Sequence, residues 1–434
     1  MDRVQFDQRN QLLAILIIGG LFAIFGFVTW VNGALIPFMQ SICDLSAAAA
    51  FLVATASYIS FSVMALPSSW ILGKVGYKNG MSLGLFAMAL GALVFIPAAD
   101  SRTYLLFLAG IFIQGAGMTL LQTAVNPYVT IMGPIDSAAS RISIMGICNK
   151  TAGAVGSLIF GALLLDGIDE KNALLEQVSL VEKEMILGEM ASSVVSPYMV
   201  MAFVLVVLGI GIRFAPLPEI DEPSEELNVE STSKRSIFQF PHLWLGVLTL
   251  FVYVGAEVIA GDSIIKYGIS LGFDQAKFFT SFTLLAMIAT YLLGVIMIPR
   301  YISQRKALAL SAILGVLFSI FVLVTTGFAS VMFVAALGFA NALVWPAVWP
   351  LAIEGLGRFT KTGAALLIMG VSGGAVIPPL YGYLEDISKA RLLAEGAGNA
   401  AQLAAQSSYW ILIPCYLVIL YFAISGYKLG TDKK

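Results

Sequence analysis

The stretch LGVLTLFVYVGAEVIAGDSII, residues 245–265, carries two acids, Glu257 and Asp262, in a largely apolar run. As a helix rising 1.5 Å per residue it reaches about 30 Å, the hydrocarbon thickness of a bilayer. A carboxylate at that depth costs about 3 kcal/mol on insertion scales unless it faces protein or water, so it marks a functional site by default. The run reads as a membrane span with chemistry inside it.

The rest of the chain fits that setting. Of 434 residues, 59% are hydrophobic and only 12% charged, and the mean hydropathy is +0.90, far from a soluble average. Runs long enough to span lie at roughly 11–39, 48–72, 79–99, 103–132, 142–165 and 196–217. Six more lie at roughly 241–271, 276–299, 306–328, 329–356, 361–384 and 406–428. The expected fold is an all-α integral membrane protein of twelve transmembrane helices.

Lys and Arg concentrate in cytoplasmic loops. With the N-terminus inside, sixteen of the 24 basic residues fall on the cytoplasmic side, seven outside, and Lys150 within a span, so both termini are expected in the cytoplasm. The first apolar run, Leu12 to Val31, exceeds a signal-peptide core and is read as a retained helix. The polar segment EIDEPSEELNVESTSKRS, residues 219–236, reads as a solvated linker. It divides the chain into six-helix halves, 1–218 and 241–434, with a linker over 219–240. The outer segment 166–193 is polar and is expected to form a short surface helix.

An internal repeat supports the division. ISIMG with GAVGSLIFGALLLD in the fifth span echoes LLIMG with GGAVIPPLYGYLED in the eleventh. The spans just upstream both carry intramembrane Asn and Pro: Asn126 and Pro127, then Asn341, Pro346 and Pro350. Pseudo-symmetric halves with a midplane site are a transporter architecture.

Several motifs offer polar groups at membrane depth. In TWVNGALIP, Asn32 stands beside Gly33 and Pro37, which can interrupt the first helix and free backbone carbonyls; the segment is either one wall of a polar site or a kinked packing helix. In LLQTAVNPYVT, Gln122 and Asn126 share a face at i and i+4 and can bind sugar hydroxyls or bond between helices. In MGICNKTAG, Asn149 precedes Lys150, which pairs with Glu257 or Asp262 or snorkels to the surface. In NALVWPAVWP, Asn341, Trp345 and Trp349 fall on one helical face, as a sugar platform or as core. VSGGAVIPP suggests a flexible or broken eleventh helix. Glu257 and Asp262 lie about 140° apart on a helix and share a face only if Gly261 loosens the turn. A carboxylate so placed can bind a proton or give hard oxygen ligands to sodium.

Other classes are poorly served. No phosphate loop and no HExxH or Cys-rich spacing occurs, the three cysteines are scattered, and His242 stands alone at a membrane entrance. No enzyme, cofactor or obligate protein partner is indicated, and a net charge of −2 gives no reason to expect nucleic acid.

NGALIP (32–37), QTAVNPYVT (122–130), ICNK (147–150), YVGAEV (253–258) and GGAVIPP (373–379) together resemble the fucose/galactose/hexose symporters of the major facilitator superfamily, over nearly the whole chain. They look closest to the bacterial glucose/galactose branch, with N-acetylglucosamine transporters nearby. The resemblance implies the major facilitator fold in a bacterial inner membrane. It also implies a proton- or sodium-coupled sugar carrier, with Asn126, Asn149 and Trp345 on positions like the family's cavity-lining residues. Gly33 and Gln122 stand where the fucose branch has acids, so its coupling scheme does not transfer; Glu257 and Asp262 resemble the acids of the glucose branch.

The expected function is cation-coupled symport of a hexose such as glucose or galactose by alternating access. Asn32, Gln122, Asn126, Asn149, Asn341 and Trp345 would bind sugar. Glu257 and Asp262 would take the proton, or ligate the ion if it is sodium, and Lys150 would balance their charge. The partners are then a small sugar and the bilayer. An N-acetylglucosamine symporter, a uniporter and a drug or metabolite antiporter of the same fold stay as alternatives.

Overall fold

The computed structural model describes residues 8–131, 138–175, 177–215, 217, 236–298, 301–356 and 359–430. Side chains are described for these residues except those of 8–12, Ser69, 126–131, 138–141, Asp169, Thr360, Lys361, Ala364 and Ala365.

The first span is α1 (Gln8–Trp30) followed by α2 (Asn32–Ile42). A single turn, α3 (Ala47–Ala50), leads into α4 (Leu52–Val75), and then come α5 (Tyr77–Leu93), α6 (Phe95–Ser101), α7 (Tyr104–Ile131) and α8 (Ala138–Leu164). Two short helices, α9 (Ile168–Leu175) and α10 (Leu180–Ser192), precede α11 (Val195–Phe214). Beyond the linker lie α12 (Pro241–Ser270), α13 (Phe279–Met297), α14 (Gln304–Val324), α15 (Gly327–Asn341) and α16 (Val344–Ile353). The chain ends with α17 (Thr360–Met369), α18 (Gly373–Ala394), α19 (Ala400–Ser408) and α20 (Leu412–Ile424). Among the described residues no strand occurs, and eleven helical stretches are long and apolar enough to cross a membrane. Leu52–Ser68 is a shorter twelfth. Helices are forced here because a lipid-facing backbone must satisfy its own N–H and C=O groups.

The interruptions fall at the TWVNGALIP and VSGGAVIPP stretches, as expected, but just ahead of the glycines and prolines within them. The first span breaks at Val31, before Gly33 and Pro37, and its carbonyl accepts the restarting N–H groups of Ala34 and Leu35. The eleventh breaks at Gly370–Ser372, in a tighter 3₁₀ turn, while Pro378 and Pro379 sit inside α18. Proline removes the N–H that would reach the carbonyl four residues back. For Pro379 that carbonyl is Ala375, and the Thr55 hydroxyl donates to it at 2.6 Å. For Pro350 it is Pro346, and the Gln304 amide donates to it. A neighbouring helix thus satisfies each carbonyl. The outer polar segment forms two helices, α9 and α10, instead of one; Ser179 and Glu182 start the second with reciprocal caps. Residues 219–235 of the expected linker lie outside the described residues, and Ile237–Gln239 form one 3₁₀ turn before α12.

Of the interhelical contacts closer than a side chain permits, two are the tightest among the described residues. A Cβ on Gly26 would fall inside the Asn149 carbonyl where α1 meets α8, and one on Gly373 inside the Phe251 carbonyl where α18 meets α12. Buried side chains continue from one helix to the next through the bundle, and Leu16, Phe203 and Leu292 face outward.

At one end of the bundle α3 and α4 dock on α18. The Asp386 carboxylate accepts from the N–H groups of Ala47 at 3.0 Å and Ala48 at 2.9 Å. Phe51 meets Tyr381 edge-on at 5.4 Å, and Lys266 bonds both oxygens of the buried Glu385 at 2.7 and 2.8 Å. Lys277, in the 3₁₀ turn Ala276–Phe278 that precedes α13, pairs with Asp166 after α8. That hydrogen bond and the lysine's charge hold the Asp166 carboxyl below the usual range. The pair therefore persists above the ordinary aspartate range and is released as pH falls through the lowered value.

Asp386→Ala leaves the Ala47 and Ala48 donors without their acceptor. Charge-assisted hydrogen bonds are worth about 1.5–3 kcal/mol each. With the three native cysteines replaced by serine and Ala375→Cys as reporter at the covered α4–α18 seam, a soluble maleimide is expected to react about tenfold faster in the Asp386→Ala variant. Equal rates would show that the carboxylate does not hold this end shut.

Candidate functional site

The first span presents Trp30 and Gly33, on either side of the interruption at Val31, to α12. Gly33 lies against the Gly261 carbonyl and the Asp262 backbone, and a Cβ there would stand 2.7 Å from the Thr280 hydroxyl. Trp30 is buried, with its indole wedged between Gly153 of α8 and Gly261 of α12; a Cβ on either glycine would enter the ring.

Lys150 projects from α8 into this space. Its ammonium lies 2.8 Å from Glu257 Oε1 and 4.3 Å from the centroid of the Trp30 ring. The side chains are 10% and 13% exposed, so both charges are largely desolvated. Of the three outcomes open for Lys150, the structure has the pair with Glu257. Breaking such a pair by removing one partner costs about 3–5 kcal/mol, because an uncompensated charge stays behind.

Asp262 is treated differently. It is 1% exposed and its Oδ1 has no hydrogen-bond partner. α12 runs unbroken from Pro241 to Ser270, so Gly261 does not loosen the turn to bring the two acids onto one face. Gly261 instead admits the indole. By burial Asp262 is the more enclosed of the two acids: Glu257 is half-buried and looks toward Lys150, while Asp262 lies where Gly33 of the first span meets α12. Asp262 still feels both charges of the pair.

Glu257 has tyrosines from four helices in its neighbourhood. Tyr58 of α4, Tyr253 of α12, Tyr291 of α13 and Tyr416 of α20 lie within electrostatic reach of its carboxylate. Sequence reasoning missed all four, since tyrosines in apolar runs look like filler; only their convergence on one acid distinguishes them. Tyr416 donates to Asn341 Oδ1 at 2.8 Å, and Asn341 Nδ2 is buried without a partner. Asn32 Nδ2 is buried without a partner too.

The remaining expected sugar contacts separate. Trp345 and Trp349 stack at 5.4 Å and 28°, both half-buried. Asn341 does not continue their line, because the helix breaks at Ala342–Leu343 between them. Asn149 donates to the Phe22 carbonyl at 3.3 Å, tying α8 to α1. Gln122 is half-buried on α7, and the Asn126 side chain lies outside the described residues. His242 is buried, with one ring nitrogen 3.2 Å from the Leu429 carbonyl and the other 3.0 Å from that of Glu354, in a tertiary tie away from the acids.

Counted as charges, the site holds one ammonium and two carboxylates. The pair cancels, and Asp262 remains as a carboxyl at membrane depth that stays neutral or takes up a cation. The unpartnered amide donors of Asn32 and Asn341 and the two stacked indoles can serve a hydroxylated ligand.

Residues 17–379 match the family described as Major Facilitator Superfamily. A glucose/galactose transporter of Brucella abortus is 30% identical over 97% of this chain and 96% of its own length. The L-fucose-proton symporter of Escherichia coli K12 is 27% identical over 98% of this chain and 95% of its own. The crystal structure of the transporter FucP in its outward conformation superposes with a TM-score of 0.68 at 25% identity, covering 96% of this chain and 99% of that one.

Proposed function

Because the chain belongs to the Major Facilitator Superfamily and is a sugar transporter within it, we propose that it is a cation-coupled symporter that carries a hexose such as glucose or galactose into the cell. The single observation that carries this reading is Asp262, an enclosed carboxyl with an unpartnered oxygen beside a self-neutralised Lys150–Glu257 pair. A proton or a sodium ion on Asp262 makes the cluster neutral. Only a neutral cluster can pass through a closed, dry intermediate at low cost.

The halves, residues 1–218 and 241–434 joined by the linker 219–240, rock about this centre and open it to each side in turn. Sugar is bound by the free amide donors of Asn32 and Asn341, by Gln122 and Asn126, and by the Trp345 face. Asn149 acts through helix packing. The protein works in a bacterial inner membrane with both termini in the cytoplasm.

The test is uptake of labelled glucose and galactose into proteoliposomes with sodium and proton gradients imposed separately, for wild type and Asp262→Asn. Wild type is expected to accumulate sugar under one gradient. Asp262→Asn is expected only to equilibrate it, an accumulation ratio of about 1, because an amide neither takes a proton nor calls for a cation. Accumulation by Asp262→Asn equal to that of wild type would overturn the assignment, and equilibration by wild type under both gradients would make the protein a facilitator.

A further inference from the structure

We infer that Trp30 is a positioning residue of the coupling site: its indole face holds the Lys150 ammonium on Glu257 and away from Asp262, and so keeps Asp262 free for the coupling cation. The inference rests on the reading of Asp262 as that cation's seat.

Two acids lie within electrostatic reach of Lys150 on α12, and charge alone does not choose between them. A lysine has four rotatable carbons in its stem and a compact ammonium, so it follows the best local field. Had it turned to Asp262, the unpartnered oxygen would be filled from within and nothing would be left for an ion. The two acids lie on different faces of α12, which already separates them, and Trp30 is in place to hold the ammonium on the Glu257 side. The ammonium stands 4.3 Å from the ring centroid, within the distance at which an aromatic face attracts a cation.

The ring is fixed by its surroundings. Gly153 follows Lys150 by three residues on α8, so the lysine and the glycine that receives the indole share a helix face. Gly261 follows Glu257 by four residues on α12, so the carboxylate and the second receiving glycine share a face as well. The indole therefore touches both helices on the stripes that carry the ion pair. It fills the space over Gly261, next to Asp262, with apolar surface where the ammonium would otherwise move. Trp30 is the last residue of α1, next to the interruption at Val31.

Trp30→Leu keeps an apolar side chain of moderate size and removes the π face; Trp30→Phe keeps a weaker face. Both are read by the concentration of coupling ion, sodium or protons, that gives half-maximal sugar uptake in proteoliposomes, a ratio independent of how much protein is active. Trp30→Leu is expected to raise that concentration about tenfold, because Lys150 now competes for Asp262, and Trp30→Phe about threefold. In a Lys150→Met/Glu257→Gln background the competing ammonium is gone, so Trp30→Leu and Trp30→Phe should each change it less than twofold. A merely structural tryptophan would lower the maximal rate in both backgrounds alike and leave the ion dependence in place. If Trp30→Leu does not fold, Trp30→Phe alone decides. An unshifted ion dependence in a coupled wild-type setting overturns the inference, as does an equal shift in both backgrounds. Absence of any ion dependence in wild type overturns the coupling reading and this inference with it, and is seen before any Trp30 variant is compared.

Discussion

Glu257→Gln is expected to turn an accumulating transporter into an equilibrating one, and adding Lys150→Met to it is expected to restore accumulation. The number of charges in one buried cluster decides the outcome. Wild type holds Lys150, Glu257 and Asp262, with the first two 2.8 Å apart. Taking away the Glu257 charge leaves an ammonium whose nearest opposite charge on α12 is Asp262. The two then neutralise each other, the cluster needs no external cation, and uptake loses its dependence on the gradient. Removing the ammonium as well returns the site to a single carboxyl, so the ion is required again. Lys150→Met alone leaves two carboxylates in the same space and should be the least stable of the three, by about 3–5 kcal/mol relative to wild type. The comparison is made on the accumulation ratio under the wild-type gradient: about 1 for Glu257→Gln and well above 1 for wild type and the double variant. If the double variant also equilibrates, Glu257 itself carries the ion and the charge count is wrong.

That experiment separates what the sequence shows from what it conceals. Acids and a lysine inside apolar runs are conspicuous, because lipid selects against them unless something requires them; Glu257, Asp262 and Lys150 were legible for that reason. Which acid takes the lysine was not legible. It depends on where the indole of Trp30 packs between two helices, which the local pattern around TWVNGALIP does not show even though that motif marked the interruption beside it. The prolines misled in the opposite direction. Pro378 and Pro379 look like breakers, yet α18 runs through them, because Thr55 on a different helix supplies a donor to the freed Ala375 carbonyl. Long-range donors of this kind leave no trace in the local pattern. Asn149 shows the same limit from the other side. Its amide at membrane depth was conspicuous, but a carbonyl of α1 already accepts from it. Most spans were readable to within a few residues from length and hydropathy, but α18 runs on to Ala394, well past the expected end at 384, and the last span begins at Ala400 rather than 406.

Alanine at Gly26 or Gly373 is expected to abolish the folded protein, whereas alanine at Gly20 is expected to be harmless or mildly stabilising. All three are helical glycines in apolar surroundings, and on propensity alone each substitution should gain roughly 0.5–1 kcal/mol. The difference lies in what the new methyl meets. At Gly20 nothing lies within 4 Å of the Cβ. At Gly26 the methyl would coincide with the backbone carbonyl of Asn149, and at Gly373 with that of Phe251. A side chain in the way can change rotamer; a carbonyl within a helix can move only with its helix. Overpacking of side chains costs about 1–3 kcal/mol, and displacing an entire helix exceeds that range. Separating α1 from α8 also breaks the Asn149–Phe22 hydrogen bond and moves the indole away from Lys150, so the damage at Gly26 should extend to the coupling site. Separating α12 from α18 strains the Lys266–Glu385 pair. Each contact lies within one proposed half, whereas Asp386, Thr55 and Lys277 bond across the seam between them. Close packing crosses the seam as well, since a Cβ on Gly161 would meet the Lys277 carbonyl and one on Gly382 that of Ala47, so rocking of the halves must open backbone contacts together with these hydrogen bonds. The check is the monodisperse yield of Gly20→Ala, Gly26→Ala and Gly373→Ala proteins in detergent. Wild-type yield for either of the last two would show that the helices yield more easily than close packing allows.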